Sequence, residues 1–242
     1  AIIKLPRISN FSDLDPFFSE SSIQMRWIEP WEELGTPDLL IIPGTKQTIK
    51  DLESLNENGM SNQIKNYAKN GGSIFGICGG LQMLGNSLED PHRKESIKKP
   101  SQCSYKGINL LPIKTTFGEI KNTSQKEAIF SWPVKKTVKG FEMHYGKSSL
   151  TEYKNCDIIS LSSNSSLGWV TEKKDNSFIG GTYLHGIFEN DDWRRELMNK
   201  IRQRKGLKKI NFDEENNIRH RERLLDQLTD TFEKNINIGK II

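Results

Sequence analysis

The chain has 242 residues, a net charge of +4 from 35 basic and 31 acidic residues, and a sequence pI of about 8.8. That length admits one large domain or two small ones, with a core that needs no disulfide staples. Hydrophobic residues make up 34% and mean hydropathy is −0.62, yet apolar runs recur along the whole length, which excludes a disordered chain, and none approaches the roughly 18 residues that span a bilayer.

Residues 1–5 form a short apolar run that predicts a first strand. The chain opens on Ala1 rather than Met and runs straight into Ile-Ile-Lys-Leu, so we expect a fragment of a longer protein, cut just before a strand. Ser9-Asn10-Phe11-Ser12-Asp13 is turn chemistry followed by a helix cap. Residues 23–28 suggest a second strand. Asp38-Leu39-Leu40-Ile41-Ile42 is of buried-strand type and stops at Pro43-Gly44. Residues 45–70 read as a loop and then a helix, with Gly71-Gly72 as the stop. Ser73-Ile74-Phe75-Gly76-Ile77 is the next buried strand, and Leu81-Gln82-Met83-Leu84 starts another helix. Strands alternating with helices predict an α/β fold, a mostly parallel sheet with helices on both faces.

After residue 90 the pattern changes. Residues 90–106 are polar and predict a long surface loop. Strand-like segments follow at 108–116, 139–144, 157–160, 168–171 and 178–185. From residue 191 the chain turns helical. Residues 205–217 suit a linker, and 219–232 form a charged amphipathic helix with Leu224, Leu225, Leu228 and Phe232 at helical spacing. This divides the chain into a domain over 1–204 and a C-terminal linker and helix over 205–242, packing on that domain or on a missing one. The densest basic stretches, 91–100 and 202–209, carry no interleaved aromatics, so they predict solvated surface and no nucleic-acid partner.

The three cysteines, at 78, 103 and 156, offer neither a disulfide framework nor zinc spacing, which fits a reducing cytoplasm and no membrane. Cys103 and Cys156 have the context of structural residues. Cys78 differs. Gly76-Ile77-Cys78-Gly79-Gly80 follows a buried strand and precedes a helix, the strand–nucleophile–helix elbow with Cys in the Ser position. Glycines on both sides permit the strained turn. The thiol then sits at a helix N-terminus, which favours the thiolate, and the Gly79 N–H can stabilise an oxyanion.

A cysteine nucleophile needs a base. His92 and His220 stand among polar and charged residues and predict solvated side chains. His185 ends the apolar run 178–184, at the strand end where parallel-sheet enzymes place their chemistry. In Phe141-Glu142-Met143-His144-Tyr145-Gly146, a strand puts Glu142 and His144 on one face, as substrate contacts, as an orienting pair behind the catalytic groups, or as a surface pair. The turn Ile42-Pro43-Gly44-Thr45-Lys46 can deliver a second backbone N–H. It is not a phosphate loop, because G-x-x-x-x-G-K-[ST] is absent.

Together these segments resemble the glutamine amidotransferase domain of cobyric acid synthases, the CobQ type. Five stretches carry the resemblance, in order: 5–11, 40–46, 76–85, 140–146 and 181–188. The resemblance implies a flavodoxin-like class I glutamine amidotransferase fold, with Cys78 as nucleophile and His185 as general base and acid. It implies Gln82 as a contact to bound glutamine, and Gly44 and Gly79 as the oxyanion hole. Many class I glutaminases carry a Glu two residues after the histidine, where this chain has Ile187. What orients His185 is thereby open, with Glu142 or a carboxylate from a partner domain as candidates. The resemblance further implies no cofactor in this domain. ATP, Mg and a corrinoid acceptor, adenosylcobyrinic acid diamide, belong to a synthetase domain N-terminal to Ala1. A glutaminase serving another amidoligase, such as one amidating a cell-wall lipid precursor, an unrelated thiol hydrolase, and a non-enzymatic domain of the same fold are the alternatives.

Overall fold

The computed structural model describes residues 1–95, 103–151, 157–163, 165–210 and 217–235. Cys156 lies outside them. Five strands run parallel in the order β2 (Trp27–Ile28), β1 (Ile2–Ile3), β3 (Leu40–Ile42), β4 (Ile74–Ile77) and β11 (Phe178–Thr182). Every residue of β3, β4 and β11 is buried, as expected of strands covered on both faces. The predicted strands at 1–5, 23–28 and 38–42 are present but shorter.

The sheet continues from β11 into antiparallel strands, β10 (Ser165–Glu172) and β9 (Ile158–Ser162). It then reaches β7 (Ile113–Phe130), which pairs with β8 (Lys136–Leu150) as one long hairpin. Short strands β5 (Ser87–Glu89) and β6 (Ser104–Lys106) close that edge. The parallel expectation therefore holds for the half that bears the elbow and gives way to antiparallel pairing beyond it. The hairpin is far longer than the segments 108–116 and 139–144 predict. Residues 119–127 in the middle of β7 are mostly charged or polar and mostly exposed, so that stretch has no buried side for the sequence to mark.

Residues 45–70, expected as one helix, form two: α1 (Thr48–Glu57) and α2 (Met60–Lys69). Gly59 breaks them at φ +76°, in the left-handed region that glycine adopts without a side-chain clash. The helix after the elbow, α3 (Gly79–Leu84), is only six residues long and wholly buried. α4 (Asp191–Arg204) lays Trp193, Leu197 and Ile201 onto the sheet. The body continues to Ile210, whose amide donates to Asn199 and whose side chain is buried. The terminal helix α5 (Asn217–Asn235) is discussed below. No helix among the described residues is long and apolar enough to cross a membrane.

One buried ionic cluster fixes a short 3-10 segment, Phe11–Phe17, against α4. Glu20 accepts from Arg194 at 2.7 and 3.0 Å and from Arg195 at 3.4 Å, and all three residues are buried. Arg194 also donates to the Phe188 carbonyl and to Asp191. Removing the carboxylate would take away a buried counter-charge that two guanidinium groups share. We expect Glu20→Ala to destabilise the fold by about 3–5 kcal/mol, read from the shift of the urea midpoint.

Candidate active site

The elbow is held by backbone contacts that leave no room for side chains. A methyl at Gly80 would meet the Ile42 carbonyl, and one at Gly76 would lie 2.6 Å from the Gly80 carbonyl carbon. α3 thus packs closely on both β3 and β4, and Cys78 is left at the corner with φ +50° and ψ −105°. A non-glycine residue held there stores about 1–3 kcal/mol of strain, kept in place by its surroundings. One restraint is a 2.7 Å hydrogen bond from the Cys78 N–H to Thr182 on β11. Cys78 is 5% exposed, and its Sγ lies 3.8 Å from the Met143 carbonyl on β8.

His185 follows β11 and is fixed on three sides. Its backbone makes a reciprocal pair with Phe141 of β8, at 2.9 and 3.1 Å. Its ring stacks on the Phe141 ring, centroids 5.2 Å apart. Its Nδ1 lies 2.7 Å from Asp13 Oδ2, and the other Asp13 oxygen accepts the Gly186 N–H at 2.8 Å. Asp13 and His185 are both buried. The carboxylate that orients His185 is therefore Asp13, from the 3-10 segment. Glu142 is not that group. Its carboxylate is engaged by His144 Nε2 at 3.1 Å and Lys126 Nζ at 3.3 Å. The hydrogen bond from His144 holds the Glu142 carboxyl below the usual range, against its partial burial. His144 in turn stacks on Tyr183 and contacts the Gly146 carbonyl.

Asn10 places its amide 3.0 and 3.3 Å from the two ring nitrogens of His185. The two ends of an amide exchange by a half-turn. Against a doubly protonated ring the oxygen end is the favourable one. Gly44 closes the remaining edge: a methyl there would lie 3.0 Å from His185 Cε1 and 3.8 Å from Cys78 Cβ. Cys78, His185 and Gly44 thus meet at one point.

The Gly44 turn is itself strapped by residues 7–9. Ser9 donates to the Gly44 carbonyl at 2.9 Å and Lys46 donates to the Arg7 carbonyl at 3.0 Å. Buried Asp51 of α1 joins the strap by accepting from Arg7 Nη1 at 2.7 Å and from Thr45 Oγ1 at 2.5 Å. With the Gly44 carbonyl turned toward Ser9, the trans peptide points the Thr45 N–H to the opposite side. A methyl on Gly79 would lie 3.2 Å from Thr45 N. The donor beside Gly79 is thus Thr45 N–H, across the same peptide as the Gly44 expected from the sequence.

Gln82 is 2% exposed, and both ends of its amide are engaged: Thr48 Oγ1 donates at 2.9 Å, and Nε2 donates to Tyr183 at 3.3 Å. Ser148 and Thr115 extend this buried chain at 2.6 Å each. Gln82 therefore anchors the floor beneath Cys78. Cys103, read as structural, is exposed and unpaired. Ser9, Asn10, Asp13 and Thr45 are site residues that turn chemistry alone did not distinguish. The acidic residue beside the apolar Leu14 and Phe17 was the available signal.

Electrostatically the site favours an imidazolium. Burial pulls the His185 pKa down, but hydrogen bonds to Asp13 and Cys78, with the negative charge of both, push it up to about 10 from an ordinary 6.5. A raised pKa means that the charged ring stabilises the fold fully below pH 6.5, and that this contribution is lost as pH rises through about 10. The stability difference between the wild type and His185→Gln should therefore shrink across that window, as measured by urea denaturation at stepped pH.

Known proteins share this architecture and sequence. A solved glutamine amidotransferase superposes with a TM-score of 0.58 at 12% identity, over 86% of this chain and 98% of its own. PurLQS from Thermotoga maritima gives 0.55 at 11%, over 84% and 96%; both likenesses concern the fold alone. Cobyric acid synthases of Prochlorococcus marinus strain NATL2A and of Synechococcus sp. strain CC9605 are 74% and 44% identical to the chain over 242 residues. The match covers all of this chain and 48% and 47% of those proteins, so the chain spans about half the length of the curated relatives it matches. The CobB/CobQ-like glutamine amidotransferase domain matches residues 1–193, and the chain belongs to that family.

Proposed function

We propose that this domain hydrolyses glutamine and supplies the ammonia to an ATP-dependent amidation of corrinoid carboxylates, giving cobyric acid in cobalamin biosynthesis. The observation that carries the glutaminase half is the meeting of Cys78 and Asp13-bound His185 at Gly44, with Thr45 N beside Gly79. The acceptor half rests on the relatives, which are named cobyric acid synthase and are about twice as long.

The chemistry follows from the geometry. The Cys78 thiolate attacks the side-chain amide carbon of glutamine, forming a C–S bond and moving the carbonyl π electrons onto oxygen. The N–H groups of Gly79 and Thr45 hold that oxyanion. When the carbonyl re-forms, the C–N bond breaks, and His185 Nε2 passes its proton to the departing nitrogen, which leaves as ammonia. His185 then takes a proton from water, the resulting hydroxide attacks the thioester, and the C–S bond breaks to give glutamate and the thiolate. Asp13 stays ionised throughout. It holds the Nδ1 proton and aims Nε2 at sulfur.

Amidation of a carboxylate also calls for ATP and Mg. The chain has no phosphate loop, and no cluster of three or more His, Cys, Asp or Glu among the described residues could hold a metal ion. That chemistry is assigned to the other half of the longer protein, in the cytoplasm.

Cys78→Ala should abolish glutaminase activity, because no other group can form the acyl intermediate. Asp13→Asn should lower kcat by about two to four orders of magnitude with a small effect on KM, as loss of a carboxylate behind a catalytic histidine does. Steady-state assays of glutamate release check both. A glutamine-mimicking electrophile should label Cys78 and not Cys103 or Cys156, with free glutamine protecting; indiscriminate labelling of all three would refute the site.

A further inference from the structure

The helix α5 is unlike the rest of the molecule. It runs for 19 residues, and four of its large apolar side chains, Leu224, Leu225, Leu228 and Phe232, are 50–56% exposed. At 100° per residue these four cover an arc of about 100° on one side of the helix. The opposite side carries Glu222, Asp226 and Glu233. In water, helical stability comes mainly from packing an apolar face rather than from propensity. Among the described residues, none buries any of these four side chains.

Two features say what covers it. The first is its width. A helix that pairs with a copy of itself uses a narrow seam repeated over three or four heptads. Here adjacent Leu224 and Leu225 widen the stripe to the arc of a helix lying on a globular surface, and 19 residues hold fewer than three heptads. A second copy fits poorly. The second is the length of the relatives. Their match to this chain runs through α5 to residue 242, and roughly half of each relative lies beyond it. A surface tethered in the same polypeptide is presented at high effective concentration.

We propose that the Leu224–Leu225–Leu228–Phe232 face of α5 docks on the other half of the longer protein and clamps the glutaminase domain to it. The proposal rests on reading the chain as one half of a two-part amidotransferase. The residues that form and support the glutaminase site lie between positions 7 and 195, outside the helix.

The test uses the full-length protein. A photo-crosslinking amino acid is placed at position 225 or 228, and the products are mapped by mass spectrometry in a mixture of isotopically light and heavy protein. Crosslinks from α5 to peptides outside this chain, light to light or heavy to heavy, are the expected result. Crosslinks to residues 1–210 would show that the helix packs on its own domain. Mixed light–heavy crosslinks between α5 peptides would show a second copy. No crosslink at all would show an unpaired helix. Each of these three overturns the proposal. Leu225→Ser with Leu228→Ser should leave Cys78 labelling unchanged while lowering amidation from glutamine at least tenfold relative to amidation from added ammonia. None of the crosslinking outcomes depends on activity, so the docking can fail while the glutaminase reading stands.

Discussion

The bidentate seat of Asp13 is the constraint on which the rest of the site depends. One oxygen holds the His185 ring and the other holds the amide of the next residue, so a single carboxylate fixes both the orientation of the base and the course of the chain leaving β11. Asp13 can do this only because the 3-10 segment is pinned from behind, where Glu20 is locked between Arg194 and Arg195. The same stretch of chain carries Ser9 and Arg7, which clamp the Gly44 turn, and Asn10, which lies along the ring. The histidine and the Gly44 turn thus refer to one strap over residues 7–13.

The nucleophile obeys a different constraint, backbone proximity. Gly76 and Gly80 let α3 lie against β3 and β4 with nothing between them. The elbow is rigid because it is close-packed, and a strained Cys78 persists because relaxing it would require β4, β11 and α3 to separate. Beneath it, the chain of hydrogen bonds from Thr48 through Gln82, Tyr183 and Ser148 to Thr115 satisfies polar groups that burial would otherwise penalise. The layer beneath Cys78 is thus a connected chain of hydrogen-bonded polar groups.

Much of this was legible in the sequence. Leu39–Ile42 and Ser73–Ile77 announce buried strands by composition, and glycines around Cys78 announce the elbow, because both signals are local. The histidine was legible for the same reason, at the end of an apolar run. The Asp13 role was not, since a carboxylate in a turn looks like a helix cap whichever group it binds, and its partner is 172 residues away. Glu142 was a natural candidate on strand periodicity, yet its face of β8 turns toward Tyr183 and Lys126. The full length of the hairpin escaped notice because residues 119–127 of β7 are polar and exposed and carry no hydrophobic period, and the break at Gly59 because one glycine within a helical pattern is common enough to be tolerated.

The separation between Asp13 and His185 has a consequence for how the protein is made. During synthesis the elbow, with its thiol, emerges from the ribosome more than a hundred residues before the histidine that its chemistry needs. Local contacts can form β3, β4 and α3 early, whereas the strap can close only once β11 has been inserted between β4 and β10, a pairing of high contact order. A nascent or truncated chain therefore carries a folded nucleophile without a base, and glutamine is spared until translation has passed the last strand of the sheet.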